Sequence, residues 1–254
     1  SFSDLNSIIN RLDDNNFWEP LHNDEDALNE FDEHMKNIEE SKTWPKNLNA
    51  KKGKVLEDLA VFLFKRFYDT KVTQNNRVGD NETDIEAALS DKIRPQFMND
   101  YMGPKIICEC KNKKSSSIDV GMVTKLAELV DKRQGKMGIF ISILGVGGYG
   151  WRYGEGKRKK LMYKDRLAII SFKIEDLKRL REGSNFYTMI KEKVNALVDE
   201  VEDNSPDIPN QQHYEYSKRI FEVFSHLKEC EIMSKEEMDY FQDKVINKYG
   251  PVNQ

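Results

Sequence analysis

Two short stretches of this 254-residue chain set acidic and basic side chains at the spacing of a β-strand. In Ile106-Ile107-Cys108-Glu109-Cys110-Lys111 the side chains alternate, so Glu109 and Lys111 share one face while Cys108 and Cys110 take the other. In Thr83-Asp84-Ile85-Glu86-Ala87, Asp84 and Glu86 likewise project together. Carboxylates drawn from two adjacent strands, with a lysine two residues beyond one of them, can hold a hard divalent cation and a water beside it, the parts of a hydrolytic metal site. The same residues also suit exposed ion pairs on a half-wet sheet, which carry no chemistry. Glu57 bears on the choice. It lies on a helical stretch on the side of Ala60, Val61 and Phe64, and an ionised carboxylate buried there without a partner is costly. A metal ion or lysine supplied with Asp84, Glu109 and Lys111 offsets that cost, as does a boundary position open to solvent.

The elements that must position these residues follow from periodicity. Over 51–68, Val55, Leu56, Leu59, Val61, Phe62, Leu63, Phe64 and Phe67 recur at helical spacing, densely enough to mark a core helix. Strands are expected at 71–73, 84–89 and 105–110, with turn residues Gly79, Asp80, Asn81 and Gly103-Pro104 between them. A helix follows at 118–133, then strands at 138–144 and 167–172. This order describes an α/β architecture, a mixed central β-sheet flanked by helices. Helices at 5–12 and 27–38 have thin apolar faces. Beyond residue 183 the chain reads as helical, at 186–201, 214–228 and 234–249, the last opened by a capping box of Ser234 and Glu237. A linker with two prolines spans 203–212. The organisation is thus an acidic helical N-terminal extension (1–50), a core (51–183) and an acidic helical C-terminal region (184–254).

Three strings, Gly53-Lys54-Val55-Leu56-Glu57-Asp58-Leu59, Glu82-Thr83-Asp84-Ile85 and Cys108-Glu109-Cys110-Lys111, stand in this order over that pattern of elements. They resemble the PD-(D/E)XK nuclease superfamily and, within it, the Mrr-like restriction endonucleases, over about residues 50–183. Thr83 departs from the pattern, standing where a proline is usual, and a loop over 91–103 is longer than the minimal fold needs. The resemblance implies a restriction-endonuclease-like core and hydrolysis of phosphodiester bonds in DNA dependent on Mg2+, with Mn2+ able to substitute. Asp84 and Glu109 then bind the metal with the backbone carbonyl of Cys110. Lys111 orients or helps deprotonate the attacking water and counters phosphate charge, and Glu57 ligates a second ion or a metal-bound water. Glu86 ranks below Asp84 as a ligand. The role implied is restriction or anti-phage defence. The alternatives are a nuclease-fold subunit of a defence complex acting mainly through partner binding, and a structure-specific resolvase or RNase.

Composition agrees with a globular protein: 38% of residues are hydrophobic and 33% charged. No apolar run approaches the roughly 20 residues that span a bilayer, and the first residues lack a signal-peptide pattern, although Ser1 in place of Met leaves room for a removed leader. Cys108, Cys110 and Cys230 form no disulfide framework or CxxC site, so a reducing cytoplasmic location is expected. The net charge of −4 hides a basic middle: residues 51–183 carry 28 Lys+Arg against 18 Asp+Glu. That middle suits a phosphate-binding surface. Within it, Arg152, Lys157, Arg158, Lys159 and Lys160 interleave with Trp151 and Tyr153 and are candidates for nucleic-acid contacts, as is Lys125. The run 145–150 lacks a Walker lysine-serine pair and reads as a mobile loop. His22, His34, His213 and His226 are scattered without zinc spacing. Ile220, Phe221, Phe224 and Leu227, with Met238, Phe241, Val245 and Tyr249, are more apolar surface than a two-helix hairpin buries by itself. Self-association is the first expectation there, a defence-system protein partner the second.

Overall fold

The computed structural model describes residues 2–78, 81–202, 208, 211–212 and 215–250; most of the linker expected at 203–212, and His213, Tyr214, Gly79 and Asp80, lie outside the described residues. Five strands, β1 (Thr70–Val78), β2 (Asn81–Leu89), β3 (Lys105–Lys111), β4 (Met137–Ser142) and β5 (Ala168–Lys173), form one sheet in the order β1-β2-β3-β4-β5. The first three are antiparallel neighbours, and β3, β4 and β5 run parallel. β4 is buried along its whole length, as a strand covered on both faces must be. β1 is the outer strand and extends well past the expected 71–73. Its second half, Gln74-Asn75-Asn76-Arg77, carries no apolar period in sequence and joins the sheet through the pairing of Gln74, Asn76 and Arg77 with Ile85, Thr83 and Glu82.

The described helices are α1 (Phe2–Ile9), α2 (Glu25–Ser41), α3 (Asn49–Lys65), α4 (Val120–Lys132), α5 (Tyr153–Asp165), α6 (Ile174–Leu177), α7 (Phe186–Glu202), α8 (Tyr216–Glu229) and α9 (Lys235–Tyr249). Asp119 caps α4 by accepting from Met122 N at 2.9 Å, and Ser234 and Glu237 form the expected capping box of α9. One sheet face, presenting Ile85, Ile106, Cys108, Ile139, Ile141, Ile170 and Phe172, packs against α3 and α7. The other, with Ile107, Phe140 and Ile169, packs under α4 and α5. The second layer is close: a Cβ on Gly138 of β4 would lie 2.9 Å from Leu126 of α4 and 2.5 Å from Ile169. This is the mixed sheet flanked by helices that the periodicity predicts.

Two expectations change, and the long loop before β3 gains contacts that the sequence left open. The N-terminal faces are not thin: Trp18, Leu21, Phe31 and Ile38 are fully buried in the same core as α3 and α7. Trp18 donates its indole N–H to Leu63 O at 2.9 Å, and Lys191 of α7 reaches Asp14 at 2.6 Å. The loop over 91–103 is likewise packed, with Met98 and Met102 buried and Phe97 set against Tyr187 at 5.9 Å between ring centroids. Finally, α5 occupies residues to which the periodicity assigns no element. Its sequence YGEGKRKKLMYKD has no apolar stripe, because close approach through buried Gly154 and Gly156 and ion pairing hold it in place. A Cβ at Gly156 would sit 1.9 Å from Trp151 O. The run 145–150 therefore leads into a helix and is mostly buried, not mobile at the surface.

Because residues before α3 complete the core, Trp18→Ala is expected to cost about 3–5 kcal/mol, and removal of residues 1–48 to prevent cooperative folding. Urea unfolding followed by circular dichroism measures both; a truncated chain that unfolds as cooperatively as the parent refutes the assignment.

Candidate active site

The β2–β3 ladder runs from Ala88↔Lys105 to Ile85↔Cys108 and stops, leaving a fork between the strands. Asp84 lies on one arm of the fork and Glu109-Cys110 on the other. The Cys110 N–H donates to Asp84 Oδ2 at 2.7 Å, and the Asp84 N–H donates to Glu109 Oε1 at 3.4 Å. Each carboxylate thus replaces a ladder partner that the other strand has lost. Since the N–H and C=O of one strand residue point to the same side, the Cys110 carbonyl opens onto the same fork as its N–H. Lys111 Nζ lies 3.1 Å from Glu109 Oε2.

These groups are not the exposed pairs of a wet sheet, nor is Glu109 at an exposed sheet end. Glu109 is only 4% exposed, while Asp84 and Lys111 are half-buried. Burial, followed by the neighbouring Asp84 charge, raises the pKa of Glu109, against the opposing pull of Lys111 and Lys125. Burial also works against the Lys111 ammonium, but Glu109 and Asp84 outweigh it and its pKa is raised. The site therefore carries more negative charge than its own lysine compensates, in an environment poor in water.

Glu57 sits apart from this trio. It is half-buried on α3, and its Oε2 accepts from Gln74 Nε2 at 3.1 Å and Asn75 Nδ2 at 3.4 Å. The expected uncompensated charge is thus met by two amides from β1. Adjacent strand residues normally face opposite ways; both reach Glu57 because Asn75 takes a left-handed conformation, φ 50°, which asparagine tolerates. Asn75 stands where β1 skips its pairing to Asp84, so the register breaks at the same level as the fork. Hydrogen bonding to Cys108, then burial, holds the Cys110 thiol well above its ordinary pKa, and the charges of both Asp84 and Glu57 add to this. Glu57 is near enough to act on the site's field without touching its carboxylates.

The other candidates separate. Glu86 is 5% exposed and committed to Arg133 Nε at 3.1 Å, with Thr83 Oγ1 donating to it at 2.9 Å; that buried ion pair removes it from the ligand set. Arg158 and Lys159 are 9% and 8% exposed, paired with Glu155 and Glu200, and Arg158 also donates to Ile169 O at 3.2 Å on the outer edge of β5. They tie α5 to β5 and α7 and do not face solvent. Arg152 and Lys160 are exposed and Lys157 half-exposed, on α5 or at its start. Lys125 is exposed on α4, and its charge is felt at Glu109. His22, His34 and His226 belong to no metal group.

Among the described residues, no three His, Cys, Asp or Glu side chains gather tightly enough to cage an ion. Two carboxylates and a strand carbonyl nevertheless fit Mg2+, which keeps several waters and commonly takes one or two carboxylates together with substrate phosphates. The burial of the Glu109 carboxylate beside Asp84, with Lys111 against it, is the observation that favours a cation there. A family model described as restriction endonuclease matches residues 48–170, from the start of α3 into β5. Neither curated proteins nor solved structures give a match.

Two variants test the electrostatics. Asp84→Asn keeps an acceptor for the Cys110 N–H and removes the charge beside Glu109, so in EDTA it should melt a few degrees above the parent near neutral pH. A raised carboxyl pKa makes the folded state bind the proton more tightly, so this part of the stability grows as pH falls, and the advantage of Asp84→Asn should shrink as Glu109 becomes protonated. Equal melting temperatures at every pH contradict this account. Glu86→Ala leaves Arg133 without its carboxylate in a largely buried place and should cost about 3–5 kcal/mol, read by the same melts.

Proposed function

Since residues 48–170 form a domain of the restriction-endonuclease family, we propose that this chain is a Mg2+-dependent endonuclease hydrolysing phosphodiester bonds in DNA. The observation that carries this reading is the buried Glu109 carboxylate set between Asp84 and Lys111 at a strand fork. Asp84, Glu109 and the Cys110 carbonyl are the oxygen donors for the ion, and Mn2+ is expected to replace Mg2+. When bound, such an ion polarises the phosphoryl oxygens and lowers the pKa of a coordinated water. Lys111, held by Glu109, keeps an ammonium at the fork to orient the water and to oppose the charge that develops on the phosphate. Asp84 holds the Cys110 main chain in place while serving as a donor. Glu57, oriented by Gln74 and Asn75, positions a second ion or a water.

Restriction or anti-phage defence is the setting this reading takes from the family, and a reducing cytoplasm suits the three free cysteines. Among the described residues no helix is long and apolar enough to cross a membrane. The C-terminal hairpin supports a further part of the reading, contact with a second copy or with a defence-system protein. Its α8 buries only Ser217 and Arg219, whose guanidinium lies 4.6 Å from the Tyr149 ring, while Val223, Ile232, Tyr240, Phe241 and Ile246 remain exposed.

Plasmid, single-stranded DNA and RNA, each incubated with the protein in Mg2+, Mn2+ or EDTA, separate a DNA endonuclease from an RNase and from a binding subunit. Asp84→Ala, Glu109→Ala and Lys111→Ala should each lower cleavage by at least about 10²–10³-fold while the protein stays folded, and Glu57→Ala less. Cleavage by Glu109→Ala at the parent rate in limiting Mg2+ sinks the assignment.

A further inference from the structure

Asn112, the residue after Lys111, donates its side-chain amide to Lys52 O at 2.8 Å and to Ser41 Oγ at 3.0 Å. This bracket holds the first turn of α3 against the chain leaving β3. Two lysine-rich stretches far apart in sequence, Lys51, Lys52 and Lys54 on α3 and Lys113 and Lys114 after β3, are thereby drawn together into one basic rim next to the end of β3. Lys51, Lys54, Lys113 and Lys114 are exposed and Lys52 is half-buried. The rim is built rather than incidental. Lys51 Nζ stands 4.7 Å from the centroid of the Trp44 ring, and Lys54 donates at 3.0 Å to Gln74, the residue that orients Glu57.

Four lysines of this rim differ from the buried cations of α5, Arg158 and Lys159, in having no carboxylate partner among the described residues. Arg158 and Lys159 of α5 are paired with Glu155 and Glu200, and Lys54 with Asp58 at 2.6 Å. Among the described residues, no carboxylate lies within ion-pair distance of Lys51, Lys52, Lys113 or Lys114; Lys114 feels Glu39 only at longer range, and Glu39 is already bonded to Lys42. A row of ammonium groups left uncompensated repels itself, and that repulsion is relieved when an extended anion lies across it. Lys125 of α4, whose charge is felt at Glu109, adds a further cation near the carboxylates.

We propose that Lys51, Lys52, Lys113 and Lys114 form the track that carries a nucleic-acid backbone across Asp84 and Glu109, so that this rim and not the basic face of α5 binds the polyanionic substrate. The inference rests on the nuclease reading of the fork. DNA and RNA share the phosphodiester chemistry that the rim recognises, so both are tested.

The full-length protein and its Lys51→Ala/Lys113→Ala/Lys114→Ala variant are titrated in EDTA against labelled duplex DNA, single-stranded DNA and RNA over a series of salt concentrations, with anisotropy as the readout. The variant should bind at least about tenfold more weakly at low salt, and its slope of log K against log[salt] should be shallower by about 2–3, since each lost phosphate contact removes about 0.9 of a released counterion on duplex DNA and about 0.7 on a single strand. The corresponding triple arginine variant should restore the slope, and the nucleic acid whose slope changes most is the one the track fits. An unchanged slope in the alanine variant, while the parent binds and cleaves, overturns the track and leaves the nuclease reading standing. A slope lost only in Lys157→Ala/Lys160→Ala moves binding to α5 and overturns it equally. A parent that neither binds nor cleaves any of the three removes the nuclease reading and the track with it.

Discussion

The structure around the fork depends on one constraint: Glu109 is an ionisable carboxylate with almost no access to water and another carboxylate, Asp84, beside it. In a low-dielectric site such a pair is stable only if charge and hydrogen bonds from elsewhere meet it. The Asp84 N–H and the Lys111 ammonium meet part of the demand at Glu109, and the Cys110 N–H meets part at Asp84. The remainder appears as the raised pKa of Glu109. A buried carboxylate pair met only in part is stabilised by any further positive charge that reaches it, so its local stability depends on what is bound.

That constraint dictates the surrounding packing. The fork exists because the β2–β3 ladder stops at Ile85↔Cys108 while β3 continues beside β4 to Lys111↔Ser142. β3 can run on unpaired on one side because its other side is anchored in a parallel ladder and α4 covers the face that Ile107 shares with Glu109. The end of β3 is fixed a second time through Asn112, whose amide reaches Ser41 at the end of α2 and Lys52 in α3. Ser41 is itself fully buried and bonded to Ile38 O at 2.6 Å. The segment preceding the nuclease domain therefore contributes to the rigidity of the strand that carries Lys111, in addition to its large apolar contribution through Trp18 and Phe31.

Charge is distributed by the same logic. Where cations serve the fold they are buried and paired: Arg133 with Glu86 under α4, and Arg158 with Glu155 while capping an edge carbonyl of β5. An edge strand covered in this way is protected from pairing with another chain. Among the described residues, the lysines of the rim next to the end of β3 are mostly exposed and mostly without carboxylate partners. Net charge per segment conceals this difference, because a paired arginine and a free lysine count alike.

Much of the candidate site's arrangement was legible in the sequence because strand alternation has a period of two, which alone puts Glu109 and Lys111 on one face and both neighbouring cysteines on the other. The core helix α3 was legible from its density of apolar residues, and β4 from its unbroken apolar run. Helix α5 was not, since glycine contacts and ion pairs to Glu200 on α7 leave no periodic signature in its own residues. Nor was the fate of Glu86, which shares a face with Asp84 but meets Arg133, a residue 47 positions away in the chain. The amides that satisfy Glu57 depend on a left-handed backbone at Asn75, which residue type permits but does not demand. Residue types and their spacing determined which side chains could do the chemistry and on which face of each element they lie. Only the tertiary structure decided which of them are buried, which charges find partners and where the β2–β3 ladder ends, because those depend on contacts between segments whose separation in sequence carries no local pattern.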